Sequence, residues 1–253
     1  MLRNIKTLAI AVWRITLVLL HILLGLSLAG FCFPICTKAL RQRLIVGWSQ
    51  RLLNILNLTL SVSGNLAIQP GLGLMLVANH ISWLDIHLIH ALYPARFVAK
   101  SEIQRWPIFG FLAQQAGTLF IRRSSNVHAA SMMQTVATCL AQGEILCCFP
   151  EGTTSDGLSL LPFKGSLLQA AIAANVPCQP VALRYFNQAQ QVDTDLAFIG
   201  DTTLLQSIWR IANIAQPRAQ LMLLPPIAPA GHDRRGLTIA LQHAIAQQLH
   251  THK

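Results

Sequence analysis

Leu72-Gly73-Leu74-Met75-Leu76-Val77-Ala78 contains no charge and no hydrogen-bonding side chain, and it reads as a strand buried within a sheet. The chain then changes character at once, to Asn79-His80-Ile81-Ser82-Trp83-Leu84-Asp85. Ser82 offers a helix N-cap, and Asp85 three residues on has the spacing of a capping box. The stretch therefore predicts a strand, a sharp turn and a helix start. His80 sits at the mouth of that turn, where open α/β sheets place their sites. Asp85 lies five residues beyond His80, so on one continuous helix the two would not share a face. With His80 just ahead of the helix, Asp85 on the first turn can reach back to the ring. That would fix the tautomer and leave the other nitrogen as a base. A capping box also explains Ser82 and Asp85 without chemistry, so this stretch alone leaves a structural and a catalytic turn both open. His87 and His90 follow, but no His-Glu-x-x-His and no Cys/His ligand set occurs, so no metal is expected.

The same alternation continues downstream. Strands are expected at 96–99, 118–121, 145–149, 180–183 and 218–224, and helices at 106–116, 128–142, 165–174, 203–212 and 234–250. Gly117 and Gly143 stand where the second strand and the 145–149 strand must be approached from helix ends. Strand–helix alternation of this kind argues an α/β sandwich, and no internal repeat or flexible linker interrupts it.

The N-terminus is different. Residues 15–33 carry no formal charge, and Arg3, Lys6 and Arg14 precede them. That length just suffices to span a bilayer. The apolar run continues to Phe31-Cys32-Phe33-Pro34 without the small-x-small site of a cleaved signal peptide. Lys38, Arg41, Arg43 and Arg51, interleaved with leucines and isoleucines, then suggest a basic amphipathic helix on a membrane surface. Basic residues flank both ends, so a full span and a hairpin dipping into one leaflet are equally compatible. We divide the chain into N-terminal membrane-anchoring helices, 1–57, and a second domain, 58–253.

Composition points the same way. Of 253 residues 53% are hydrophobic and 11% charged, and the net charge is +10. Anionic partners follow: phospholipid head groups, phosphorylated substrates or an acidic carrier protein. Nucleic acid is not expected, because the basic residues are scattered and no aromatic–basic motif appears. The six cysteines form no disulfide pattern and include no Cys-x-x-Cys, which reads as reduced thiols in a cytosol-facing domain.

Four polar clusters stand at the ends of apolar strands: His80/Asp85, Lys100, Arg122/Arg123 and Glu151-Gly152-Thr153. In a chain with nine acidic residues, Glu151 within Pro150-Glu151-Gly152-Thr153 is conspicuous. Here the chain resembles the lysophospholipid acyltransferase family (1-acyl-sn-glycerol-3-phosphate acyltransferase-like), whose four blocks occur in order. Asn79-His80-x4-Asp85 is similar to its His-x4-Asp motif, Gly117–Arg122 to the second block, Phe149–Ser155 to the third and Val176–Val181 to the fourth. Lys100-Ser101-Glu102-Ile103 with Pro107-x-x-Gly110 matches a further feature, and the likeness runs over 61–226.

The resemblance implies a glycerolphosphate acyltransferase-like αβ sandwich carrying an N-terminal membrane-binding segment. It implies that His80 takes the proton of an acceptor hydroxyl attacking an acyl thioester, and that Asp85 orients the imidazolium. Arg122 would grip the acceptor phosphate; Glu151, Gly152 and Thr153 would line the acceptor site, with Lys100 a further phosphate candidate. The expected product is phosphatidic acid, from acyl transfer to the sn-2 hydroxyl of 1-acyl-glycerol-3-phosphate. Acyl-CoA or acyl carrier protein would be the donor, no cofactor is needed, and the catalytic domain would face the cytoplasm. Lyso-ornithine lipid is the alternative acceptor. A hydrolase is disfavoured because Gly-x-Ser-x-Gly is absent, and a cysteine acyl-enzyme because Cys147 and Cys148 lie in an apolar run. A non-catalytic lipid-binding protein would leave the His80 turn and the Pro-Glu-Gly-Thr loop without a purpose.

Overall fold

The computed structural model describes residues 2–121 and 126–250. Seven strands form one sheet: β1 (Thr59–Ser63), β2 (Leu74–Ala78), β3 (Arg96–Lys100), β4 (Leu119–Ile121), β5 (Ile145–Cys148), β6 (Cys178–Phe186) and β7 (Arg218–Leu223). Their spatial order is β1-β7-β6-β2-β5-β3-β4. Every neighbouring pair is parallel except β6 and β7. The expected α/β sandwich is therefore present.

β2 lies at the centre, and all five of its residues are buried. Alternate residues of a strand face opposite sides. Leu74, Leu76 and Ala78 join one core with Leu84 and Leu88; Met75 and Val77 join a second with Leu140, Leu168 and Leu237. Both faces being covered is why the strand reads as an unbroken apolar run. Gly73 just ahead of it passes so close to the Leu140 carbonyl that a Cβ there would collide.

The helices are α1 (Leu2–Ser27), α2 (Lys38–Ile55), α3 (Leu84–His90), α4 (Ser101–Gln104), α5 (Phe109–Gln115), α6 (Asn126–Ala141), α7 (Leu168–Ala174), α8 (Leu204–Asn213) and α9 (Arg234–His250). α3 is short, but Leu84 and Leu88 are fully buried, each worth roughly 1.5–3 kcal/mol. α8 starts at a Thr203–Gln206 capping box. α1 runs into a π-helical turn, Leu28–Cys32. The segment Thr7–Cys32 is long and apolar enough to cross a membrane, with a mean hydropathy of 2.3.

Four expectations need correction. The 106–116 helix begins only at Phe109, because Ile108 takes a positive φ of 67° that a helix cannot continue through. β6 starts before Pro180, whose missing N–H does not end it; the Pro180 carbonyl accepts from Leu224 N–H at 3.0 Å. Ser82 does not cap α3: its hydroxyl is buried with no partner among the described residues, and only the Asp85 half of the box forms. α2 is helical, but Leu52 and Leu53 face the protein core rather than a surface.

The N-terminal helices dock on the sheet domain. The Arg14 guanidinium donates to the carbonyls of Ala212, Ile214 and Ala215, satisfying the C-terminal end of α8. His21 stacks on Trp48 with ring centres 4.5 Å apart, joining α1 to α2, and Gln50 of α2 donates to the Ala91 carbonyl after α3. A groove of about 1770 Å³ runs between α1 and α8, lined among others by Ile15, Ile22, Leu204, Ile208, Trp106 and Ile108.

Candidate active site

β2 delivers Asn79 and His80 to the carboxyl end of the sheet. The Asn79 amide continues the strand pairing with its side chain: it donates to the Leu183 carbonyl at 3.0 Å and accepts from Leu183 N–H at 2.7 Å. The backbone after it is thereby free to turn.

The turn is held from both sides by the 150–157 loop. Glu151 Oε1 accepts from His80 N–H at 2.6 Å, and Oε2 from Leu161 N–H at 3.0 Å. The His80 carbonyl accepts from Ser155 N–H at 2.8 Å and from the Ser155 hydroxyl at 3.2 Å. Gly152 makes this loop possible: at φ +71° it bends back to donate to the Phe149 carbonyl. Glu151 is 2% exposed, and burial raises its proton affinity against the two backbone donors. Its carboxylate braces the turn from within, and Thr153 is the exposed member of the trio.

The His80 ring lies on Phe149, 3.9 Å between centres and 9° from parallel. Its Nδ1 is 2.8 Å from Asp85 Oδ2. The same oxygen accepts from Ile81 N–H at 2.7 Å and Ser82 N–H at 3.0 Å. Asp85 Oδ1 accepts from the Tyr185 hydroxyl at 2.6 Å. A carboxylate surrounded by donors places the proton on Nδ1 and leaves Nε2 with a free lone pair. Asp85 is fully buried, whereas the imidazole is 19% exposed, and among the described residues nothing bonds Nε2. The arrangement suits proton abstraction from a group arriving at the exposed edge of the ring.

The other candidates fall into place differently. Lys100 ends β3 and is exposed at the edge paired with β4, in register with Ile121. Arg122, with Arg123, lies outside the described residues. His87 and His90 serve packing. His87 faces Ser49 and Trp48, His90 bonds the Ala95 carbonyl, and burial lowers them to about 3 and about 4. Burial pushes the Cys148 thiol up to about 12 and that of Cys147 higher than its usual range, so neither is a ready nucleophile. Among the described residues, no group of three His, Cys, Asp or Glu is placed to hold a metal.

The roles of Tyr185, Asn79 and Ser155 are not among the expectations from the sequence. An asparagine closing a wholly apolar strand was the available signal for Asn79. Nothing near Tyr185 in the chain points to Asp85, which lies 100 residues away.

A family model described as Acyltransferase matches residues 59–184. The chain is 42% identical over 206 residues to the lyso-ornithine lipid O-acyltransferase of Pseudomonas aeruginosa, covering 81% of this chain and 78% of that one. It is 38% identical over 179 residues to the 1-acyl-sn-glycerol-3-phosphate acyltransferase of Neisseria gonorrhoeae, covering 71% and 69%. The crystal structure of the 1-acyl-sn-glycerophosphate (LPA) acyltransferase PlsC from Thermotoga maritima matches with a TM-score of 0.75. That match covers 98% of this chain and 97% of that one at 21% identity. The architecture is thus the PlsC acyltransferase fold. The chain belongs to the acyltransferase family, and it is an enzyme of that class.

Proposed function

We propose that the protein is a membrane-associated O-acyltransferase that moves a fatty acyl group from a thioester to the free hydroxyl of a lysolipid. The observation that carries this is the His80–Asp85 pair, 2.8 Å apart, with one ring nitrogen tied to a buried carboxylate and the other free. His80 Nε2 takes the proton as the acceptor oxygen attacks the thioester carbonyl. The tetrahedral intermediate then collapses, the carbon–sulfur bond breaks, and the departing sulfur receives that proton from the imidazolium. Ester and free thiol are the products. A general base of this kind contributes ~10²–10⁴-fold, and a thioester is already activated. Acyl-CoA and acyl carrier protein both fit as the donor.

Two acceptors are compatible with the chain. For 1-acyl-glycerol-3-phosphate, giving phosphatidic acid, stand the net charge of +10, the exposed hydroxyl of Thr153, and Arg122 as a guanidinium fork for the phosphate, while the Thr154 hydroxyl is committed to the Phe198 carbonyl. Lyso-ornithine lipid stands on an equal footing, because the longer and more identical match is to an enzyme named for it. In either case Glu151 and Gly152 shape the loop, while Thr153 and Lys100 are exposed enough to meet the acceptor. The apolar groove between α1 and α8, whose walls do not include His80, is in keeping with an acyl-chain substrate and a lipid environment. We place the catalytic domain on the cytoplasmic face, where both donors occur.

Purified enzyme given both lysolipids with one acyl donor tests the reading. Transfer to either one supports it, and transfer to neither overturns it. Arg122→Ala should raise the acceptor KM and leave the donor KM nearly unchanged.

A further inference from the structure

Tyr185 is a buried polar group that the reaction above does not use. It lies near the end of β6, is 0% exposed, and donates to Asp85 Oδ1. The two oxygens of Asp85 thus face different partners. Oδ2 meets the His80 ring and two backbone N–H groups, whereas among the described residues Tyr185 is the one donor to Oδ1. A phenol in the middle of a sheet must find a partner, and phenylalanine would fill the same space without that requirement.

We propose that Tyr185 is a positioning residue: its hydroxyl holds the Asp85 carboxylate in the orientation that presents Oδ2 to His80 and withdraws part of its negative charge. The inference rests on His80 being the base. A carboxylate that shares its charge with a phenolic donor pulls less strongly on the imidazolium. His80 then gives its proton up more readily to the departing sulfur. Two other titratable groups face the pair: Cys147 faces Asp85 from β5, and Glu151 faces both Asp85 and His80 from the 150–157 loop. Burial and the Asp85 charge hold the Tyr185 phenol and the Cys147 thiol protonated beyond their ordinary ranges, so neither adds charge of its own at neutral pH.

Tyr185→Phe removes the donor while keeping the ring. The expected result is a fall in kcat of about tenfold, the worth of a hydrogen bond to a charged group, with acceptor KM little changed. The acid limb of the kcat/KM profile should move up by roughly half to one pH unit. The midpoint of the His80 ring, followed by NMR on histidine-labelled enzyme without substrate, should move up with it. A purely structural tie between β6 and the His80 turn would lower the melting temperature and leave both pH readouts where they were, which overturns the proposal. A moved NMR midpoint with unchanged kcat also overturns it. If Tyr185→Phe does not fold, 3-fluorotyrosine at position 185, a stronger donor, should shift the midpoint down; no shift there overturns the proposal equally. Because the NMR titration needs no substrate, its failure is distinct from failure of the acyltransferase reading. Normal turnover by folded His80→Ala would show the latter.

Discussion

The His80 turn and the α1–α8 face have inverted polarity. At the carboxyl end of the sheet, Asn79, Asp85 and Glu151 are 3%, 0% and 2% exposed, in a zone where a core would ordinarily be apolar. On the α1–α8 face, Leu19, Leu23, Leu205 and Trp209 are 55%, 57%, 76% and 46% exposed, where a surface would ordinarily be polar. Each inversion carries a free-energy cost unless something compensates it. In the turn the compensation is internal: every oxygen of Asp85 and Glu151 has a donor. On the helical face it must come from outside, from an apolar neighbour. One region is built for fixed geometry, the other for a place to sit.

The contrast breaks most sharply at His80. His80→Ala should lower turnover by ~10²-fold or more while circular dichroism and melting change little, since Asp85 keeps the Ile81 and Ser82 N–H groups and the Tyr185 hydroxyl as donors. Next is the apolar face. A chain lacking residues 1–36, which keeps the core-facing Leu52 and Leu53, should leave the membrane pellet in large part, whereas the intact chain should resist a high-salt wash. Complete extraction of the intact chain by salt alone would show that the face does not insert.

Glu151→Ala probes the turn through its backbone. It strands the N–H groups of His80 and Leu161, at about 1–3 kcal/mol for each buried group left unpaired, measured by urea unfolding. The smallest effect belongs to the two histidines beneath the site. His87 and His90 hold their protons less tightly when folded, at about 3 and about 4, than the ordinary value of 6.5. Between those values the unfolded chain binds more protons, so stability is full above 6.5 and declines as pH falls toward 4. The slope should be up to about 1.4 kcal/mol per pH unit for each ring. Melting temperatures between pH 7 and pH 5 in wild type and in His87→Gln would show whether that slope lessens.

Local pattern made much of this legible. The unbroken apolar run of β2 announced a strand covered on both faces, and the terminal helix emerges as expected at Arg234–His250. The His80–Asp85 contact was legible because both partners belong to one strand–turn–helix unit. What escaped depends on distance or on backbone conformation. The Tyr185 hydroxyl comes from β6, and an aromatic in Leu183-Arg184-Tyr185-Phe186 looks like any core residue until the sheet order sets β6 beside β2. β1 escaped because Thr59-Leu60-Ser61-Val62-Ser63 lies at the sheet edge and is mostly exposed, with too little apolar surface to stand out. Ile108 escaped because a branched residue at positive φ follows no local rule.

Where the acyl group goes is the most direct measure of what the His80 site does. Thiol release from an acyl thioester should be followed in wild type and His80→Ala, each with and without lysolipid. The structure of the site predicts release that requires lysolipid, matches the acylated lipid formed one for one, and is lost in His80→Ala. Equal thiol release without any acceptor, or undiminished transfer by a folded His80→Ala enzyme, would contradict it.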